Sequence, residues 1–578
     1  MDRNTLLAIA LSLLVLSAWS SWEAAHMPPP DAVEQPAQAD KPVPEGAERG
    51  DWPGEEPQAE VTRIERQVED PAAPSSPGRP AAREPEVAVE PWTGGLESEL
   101  FRVGLDNRGA GITSWKLLED AYTISAAEDS EPVELVTSNA DDGVVLATPL
   151  EGLGIGDLRD AVFRVEGGNS ERVVFVYERG GVQVRKTLAF DPESYVFDVE
   201  LEIGNNSGRA IRSDIDVLWP AATVDLNDFR EQSLIALAND EVETEMLASV
   251  GSGGFLGFFG GGDEGPTKNA GVIDWAGVSN RYFLSVLIPN AKNASVAEVT
   301  FLPIVPGERV VTRMAYPGVD IPDGGVVVRN FRAYMGPKVS ETLASVQPGL
   351  ERSIDLGWSW IEPLTRFFHW FLALLYGFIP NYGVAIILVT IIVRVVTFPI
   401  MQKQMKSMER MRELQPALKE IQEKHKEDRQ RQSEAMMKLY REEGVNPLGG
   451  CFPMLLQFPV FIGLFYALQS TIALRHADFA LWINDLSAPE ELFTLPGIGL
   501  PVRLLPVVMG ASMFLQQRMT PMTGMDPVQA RMMTTVMPIM MTVLFYQFPS
   551  GLVLYWMISN FLGIGHQLWV RKQRSQQE

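Results

Sequence analysis

The sequence predicts a polytopic α-helical membrane protein of six spans that carries a large soluble β-sandwich domain outside the bilayer. Three observations predict this class. The 578 residues have a net charge of −26, yet residues 1–350 hold 27 Lys/Arg against 56 Asp/Glu, a net −29, while residues 351–578 hold 21 against 18, a net +3. Several long apolar runs lie in the second part, so a mean hydropathy of +0.01 averages over two solvents. Apolar residues alternating with a period of two mark the first part as β-rich. The acidic first part argues against nucleic acid as a specific partner, because that contact needs Lys/Arg to replace phosphate counterions.

The chain starts with Asp2-Arg3 and a largely apolar stretch from Leu6 to Trp22, long enough for a signal peptide or a short span. Ala18-Trp19-Ser20 is a weak cleavage site, and Trp19 and Trp22 suit an interfacial belt, so residues 1–24 read as an uncleaved transmembrane anchor. A disordered Pro-rich tether, 25–91, follows. Within it, residues 27–91 hold 14 prolines in 65 positions and cannot bury enough apolar surface to offset their ordering entropy.

Residues 92–350 read as the soluble β-sandwich. Val173, Phe175 and Tyr177 alternate up to Arg179-Gly180-Gly181, a hairpin turn, and Val182, Val184 and Leu188 form the return strand. Tyr195, Phe197, Val199, Leu201 and Ile203 keep the same period before Gly204-Asn205-Asn206. About 250 residues of this kind suffice for a two-sheet core. The Gly-rich run 251–260 lacks a lysine at Walker spacing and reads as a loop.

The membrane part contains five candidate spans, Tyr382–Ile400, Cys451–Ser470, Pro501–Gln517, Met532–Phe548 and Leu552–Val570. Phe367–Ile379 has 13 residues after Arg366, so 351–381 is assigned an interfacial amphipathic helix. Charge supports that choice. Segment 401–446 carries 11 Lys/Arg, Arg518 and Arg531 flank another loop, and the tail holds Arg571, Lys572 and Arg574. Six spans put all three basic regions in the cytoplasm and the acidic domain outside, whereas a seventh would misplace the 11 basic residues. Segment 401–446 has helical spacing (Met401, Met405, Met408, Met411), an interruption at Pro416 and a turn near His425–Asp428. It reads as a charged helical hairpin, either a solvated connector or a docking arm.

Arg394 lies in the apolar span that begins at Tyr382, where arginine costs on the order of 2.5–3.5 kcal/mol unless water or a partner meets it. None of the five spans contains Asp or Glu, so an intramembrane ion pair is not available. Snorkelling and a water-filled cavity remain, and the cavity is the favoured reading. Thr390 is four positions earlier on the same helical face. Gln457, Gln516, Thr542, Tyr555, Ser559 and Asn560 add polar groups from other spans, each singly a helix–helix contact and together consistent with a wet groove. Ten of the 23 methionines fall between Met509 and Met541, which suits either apolar filler or an adaptable surface.

Metal, nucleotide and proton chemistry are poorly supplied. The only cysteine is Cys451, and the five histidines (26, 369, 425, 476, 566) form no close pair. The spans also lack the carboxylates that coupled transporters relay through. Neither cofactor nor metal is called for, and an enzyme is not expected.

Asn446-Pro447-Leu448-Gly449-Gly450-Cys451-Phe452-Pro453 with Gln457 and Pro459, then Phe479-Ala480-Leu481-Trp482-Ile483 with Asp485-Leu486, then Phe548-Pro549-Ser550-Gly551-Leu552-Val553-Leu554-Tyr555 occur in that order. With Asn381-Tyr382-Gly383 leading to Arg394, these segments resemble the YidC/Oxa/Alb membrane protein insertases over about residues 355–572. The N-terminal anchor and large extracytoplasmic domain resemble the Gram-negative YidC type.

The resemblance implies a five-helix core (382–578, including the hairpin) and a periplasmic β-supersandwich similar to sugar-mutarotase folds. It implies a bacterial inner-membrane location with cytoplasmic termini. A hydrophilic groove would receive the polar segment of a nascent membrane protein while its apolar segment slides out into the lipid bilayer. Carried over, Arg394, Thr390, Gln457 and Ser559 line the groove, with Tyr555 and Trp556 near the substrate path and Phe458, Phe461 and Phe465 as greasy contacts. Ribosome and targeting factors would meet the hairpin, and the Sec translocon is a further partner. Two departures stand out: the basic tail is short, and Trp556 occupies a position where a second tyrosine is common. Outside the resemblance, a small-solute transporter or channel and a ligand-binding receptor are the competing readings.

Overall fold

The computed structural model describes residues 89–125, 130–138, 140–169, 171–222, 232–247, 250, 267–289, 297–425, 428–444, 452–496, 499–519 and 531–574. The expected anchor, nearly all of the tether, the Gly-rich run 251–260, the Asn446–Cys451 motif and the last four residues lie outside these.

Among the described residues, sixteen strands precede the helices. They are β1 (Thr93–Glu97), β2 (Phe101–Asp106), β3 (Gly111–Leu117), β4 (Arg164–Gly168), β5 (Arg172–Arg179), β6 (Val182–Phe190), β7 (Val196–Asn205) and β8 (Ile211–Ala222). Then come β9 (Ser233–Ala238), β10 (Glu241–Met246), β11 (Thr267–Gly271), β12 (Ile273–Ser279), β13 (Phe283–Pro289), β14 (Ala297–Val305), β15 (Arg309–Ile321) and β16 (Gly325–Pro337). Nine form one sheet in the order β10-β9-β12-β13-β16-β7-β6-β5-β4, four form another, β11-β14-β15-β8, and β1-β2-β3 make a third. All pairings between these strands are antiparallel, and the faces turned towards one another share one apolar core.

The sequence accounts for this architecture locally. Gly180 and Gly181 both have positive φ (60° and 79°), the backbone a two-residue hairpin turn needs, and Arg179 pairs with Val182 across it. Along β7 the alternate residues Phe197, Val199, Leu201 and Ile203 are buried, as their period of two requires. Trp115 is fully buried, stacked on Phe101 at 4.3 Å and on Phe197 at 5.3 Å. A ring of that size contributes roughly 4–6 kcal/mol of gross transfer free energy. Its replacement by alanine is expected to cost about 3–5 kcal/mol.

The second part is helical: α1 (Ser340–Val346), α2 (Glu362–Phe378), α3 (Tyr382–Glu413), α4 (Gln415–Lys424), α5 (Arg429–Glu442), α6 (Phe452–Ser470), α7 (Leu504–Met519), α8 (Met537–Phe545, entered through a π turn over Met532–Val536) and α9 (Ser550–Arg574). A short hairpin, β17 (Phe493–Leu495) and β18 (Leu500–Val502), precedes α7. Among the described residues one helix of 18 or more residues, Tyr382–Gln402, is long and apolar enough to cross a bilayer by length and composition, and Met532–Phe545 is a shorter apolar segment.

Several boundaries differ from those expected. Within 351–381, assigned to an interfacial helix, the long helix covers Glu362–Phe378, and Pro363 in its first turn is pre-set for helix and needs no N–H partner. The span expected from Pro501 starts at Leu504, because Leu500–Val502 pairs as β18. The helix bearing Arg394 does not stop at Ile400 but runs to Glu413, so it supplies the first arm of the charged segment directly. Pro416 instead sits in the first turn of α4. The stretch expected as Met532–Phe548 is divided by its π turn and ends at Phe545. In the turn region expected near His425–Asp428, Asp428 caps α5 by accepting the Arg431 N–H at 3.0 Å. Leu418 and Tyr440 bury against each other with Leu414, Met436 and Leu439 around them.

Candidate groove in the helical core

The helices pack tightly at one end. Ala385, Ile386 and Val389 of α3, Leu464, Ala467 and Leu468 of α6, Met509 of α7, Phe545 of α8 and Leu552–Tyr555 of α9 form one buried cluster. Towards the other end the same helices open: Val395 and Val396 of α3, Phe458 of α6 and Phe561, Leu568 and Trp569 of α9 are exposed. Arg394 lies at the passage from the packed to the open part.

Its Nη2 donates to the Ser559 carbonyl at 2.8 Å and to the Ser559 hydroxyl at 2.6 Å, which joins α3 to α9. Its Nε is buried and has no partner among the described residues. The cation is thus met by two neutral acceptors and no carboxylate. One turn away in the bundle, Gln457 Nε2 of α6 donates to the Tyr555 hydroxyl of α9 at 2.5 Å. Asn560 donates to the Ser512 hydroxyl at 3.0 Å, tying α9 to α7. A chain of polar contacts therefore runs along α9 facing three neighbours, on groups that apolar surroundings would penalise if unpaired.

Of the site residues expected from sequence, the structure brings together Arg394 with Ser559 and Gln457 with Tyr555. Thr390 is buried, and its hydroxyl donates to the Ile386 carbonyl at 2.7 Å rather than to the arginine. Trp556 packs edge-on between Phe461 (4.7 Å) and Phe545 (4.8 Å). Phe465 lies 6.3 Å from Phe461 and 6.4 Å from Phe548, so the aromatics form a continuous greasy strip. Phe458, 49% exposed, stands apart at the open end of α6.

Sequence reasoning missed the polar groups at the packed end. His369 of α2 meets the Ser470 hydroxyl at 2.7 Å and the Thr471 hydroxyl at 3.4 Å, anchoring α2 to the end of α6. Burial, with the charge of Arg366, pushes this histidine down to about 4. Arg281 of the β-sandwich donates to the Gln469 carbonyl at 2.7 Å, across 188 positions of sequence that no local pattern links.

A helical bundle that buries a cation on neutral oxygens, with an antiparallel β-sandwich attached, is compatible with a membrane protein insertase. Two family descriptions match the chain, "YidC periplasmic domain" over residues 95–371 and "60Kd inner membrane protein" over 374–577. The membrane protein insertase YidC of Pelobacter propionicus is 34% identical over 593 aligned residues, covering 99% of both chains. That of Syntrophus aciditrophicus is 32% identical, covering 99% of this chain and 100% of its own. A solved structure described as an active YidC insertase with its first transmembrane domain resolved covers 82% of this chain and 91% of its own at 20% identity, with a TM-score of 0.34. The chain belongs to the YidC family of inner-membrane insertases. Its function is membrane protein insertion, its substrates are nascent membrane proteins, and its β-sandwich is the family's periplasmic domain.

Proposed function

We propose that insertion proceeds through a hydrophilic groove between α3, α6 and α9, in which Arg394 is the positively charged way-station. The observation that carries this reading is the guanidinium met, among the described residues, by neutral oxygens of Ser559 alone, with its buried Nε–H unmatched. A cation so placed keeps its attraction for an anionic segment, because no carboxylate has neutralised it, and low polarity around it strengthens that attraction. The open end of the bundle faces the cytoplasm and admits a short polar segment. The apolar segment leaves along Phe458, Phe461 and Phe465 with Trp556 beside it, and its burial in lipid drives release without nucleotide or a covalent step. Gln457, Tyr555 and Ser559 supply hydrogen bonds that partly replace water, and Thr390 closes the groove floor.

The topology that fits this reading has six spans, both termini in the cytoplasm and the α4–α5 hairpin on the cytoplasmic side as a docking arm for ribosome and targeting factors. The protein works alone or with the Sec translocon. The test is insertion in proteoliposomes with Arg394→Ala and Arg394→Lys. Substrates with acidic translocated tails slow by roughly tenfold or more with alanine, the worth of one charge-assisted contact, and recover with lysine. Equal slowing of acidic and neutral tails removes the electrostatic role.

A further inference from the structure

The loop between α6 and α7 is gripped by the β-sandwich through His476. This residue has φ +55°, in the left-handed region that side chains other than glycine occupy at a cost. Its Nδ1 lies 3.0 Å from Oδ2 of Asp485 in the same loop, and its Nε2 lies 3.0 Å from the backbone carbonyl of Thr123 in the sandwich. A carbonyl oxygen only accepts. The other carboxylate oxygen of Asp485 accepts both the N–H and the O–H of Ser487 at 2.7 Å. Burial pulls this carboxyl upward, but the hydrogen bonds from His476 and Ser487 outweigh it and hold it below its ordinary value, so it too accepts. The two ring nitrogens therefore meet one acceptor on the loop and one on the sandwich.

The contacts beside it serve the same joint. Arg475 donates to the Ala121 carbonyl at 3.3 Å and lies 5.5 Å over the Phe283 ring, and Phe283 meets Tyr122 edge-on at 5.7 Å. Arg281 holds the Gln469 carbonyl at the last turn of α6 and reaches the Ser487 carbonyl at 3.5 Å.

We infer that His476, bridging the Asp485 carboxylate of the loop and the Thr123 carbonyl of the sandwich, is the positioning residue that fixes the periplasmic domain on the packed end of α6. Through Gln469 the joint sets the placement of the helix that carries Gln457 and the phenylalanine strip. It rests on the groove reading only in treating this end as the closed one.

The test is the distance between spin labels at Val272, on the sandwich, and Leu481, 88% exposed on the loop, in the full chain in nanodiscs with Cys451→Ser. The distribution is expected to be narrow in the wild type. His476→Phe, which keeps the bulk of a ring and removes both polar contacts, is expected to broaden it. A distribution as narrow in that variant as in the wild type overturns the inference. Where the variant does not fold, the wild type decides, since a broad wild-type distribution overturns it as well. The groove reading fails separately, in the Arg394 insertion assay, without altering these distances.

Discussion

One guanidinium nitrogen of Arg394 donates to both the carbonyl and the hydroxyl oxygen of Ser559, at 2.8 and 2.6 Å, so α3 is tied to α9 by a charge with no counter-charge. The pair stabilises the bundle and leaves the positive charge uncompensated, whereas an Asp or Glu partner would offset it. Replacement of Ser559 by alanine removes the hydroxyl and keeps the carbonyl. One of two charge-assisted bonds is lost, so thermal unfolding in detergent is expected to show a destabilisation of about 1.5–3 kcal/mol. Insertion of acidic-tailed substrates should be retained in Ser559→Ala, because the positive charge stays. Loss as complete as in Arg394→Ala would assign the serine a role beyond holding the guanidinium.

The Gln457–Tyr555 bond ties α6 to α9 within the same bundle. Tyr555→Phe leaves a half-buried amide without its acceptor, whereas Tyr555→Phe with Gln457→Leu removes both polar groups. A double-mutant cycle on unfolding is therefore expected to give a coupling of about 0.5–1.5 kcal/mol, with the double variant no less stable than the tyrosine variant alone. Additive losses would mean that the two side chains do not share a hydrogen bond in the bilayer.

What the sequence made legible follows from how local each signal is. The β5–β6 hairpin is announced by two adjacent glycines between period-two runs, and the α4–α5 turn by the break between two stretches of helical spacing. Both are decided within a dozen residues. Arg394 stood out because its cost in an apolar run does not depend on its partner. The partner itself, Ser559, was legible only as one polar residue among several, since 165 positions separate the two. The joint at His476 was not legible at all. Its acceptors are a backbone carbonyl 353 positions away and a carboxylate nine positions away, and main-chain oxygens have no sequence signature. Thr390 shows the converse failure: helical spacing put it on the arginine's face, but its hydroxyl found the Ile386 carbonyl four residues back, the bond a threonine in a helix makes without any neighbour.

Two fully buried lysines give the periplasmic domain an alkaline dependence. Lys186 donates to the carbonyls of Leu146 (2.7 Å), Ala110 (3.1 Å) and Gly109 (3.4 Å), and burial lowers it to about 7. Lys338 donates to the Ser353 carbonyl at 3.0 Å, and burial, opposed by Asp355, lowers it to about 8. Between those values and the unfolded value near 10.5 the unfolded chain binds more protons than the folded one, so stability rises with pH through that window. Buried Tyr316, Tyr195 and Tyr334 are pushed upward, which reverses the slope above about pH 10, where unfolded tyrosines ionise. Unfolding followed by the buried tryptophans 115, 219 and 275 is expected to occur at its highest temperature near pH 9–10. A midpoint that falls steadily from pH 7 to 9 would show that both amines stay charged in the fold.

Glu490 is buried, 5% exposed, and serves two elements at once. Its Oε2 accepts the Trp482 indole N–H at 2.6 Å, and its Oε1 accepts the backbone N–H of Leu505, in the first turn of α7, also at 2.6 Å. A carboxylate at that position satisfies an N–H that the helix cannot and favours the positive end of the helix dipole. Glu490→Gln keeps one carbonyl acceptor but turns an amide towards one of the two donors. Glu490→Ala leaves both donors unpaired in a buried site. The expected order of stability in detergent is glutamate, then glutamine, then alanine, with alanine lower than wild type by about 2–4 kcal/mol, the sum of one lost cap and one stranded indole N–H. The fluorescence of Trp482 is expected to respond in the same order, because its N–H loses a charged acceptor. Since this contact fixes the start of α7 and not the groove, insertion by folded Glu490→Gln should keep the wild-type ratio between acidic and neutral substrates. A changed ratio at unchanged stability would mean that the placement of α7 reaches the arginine.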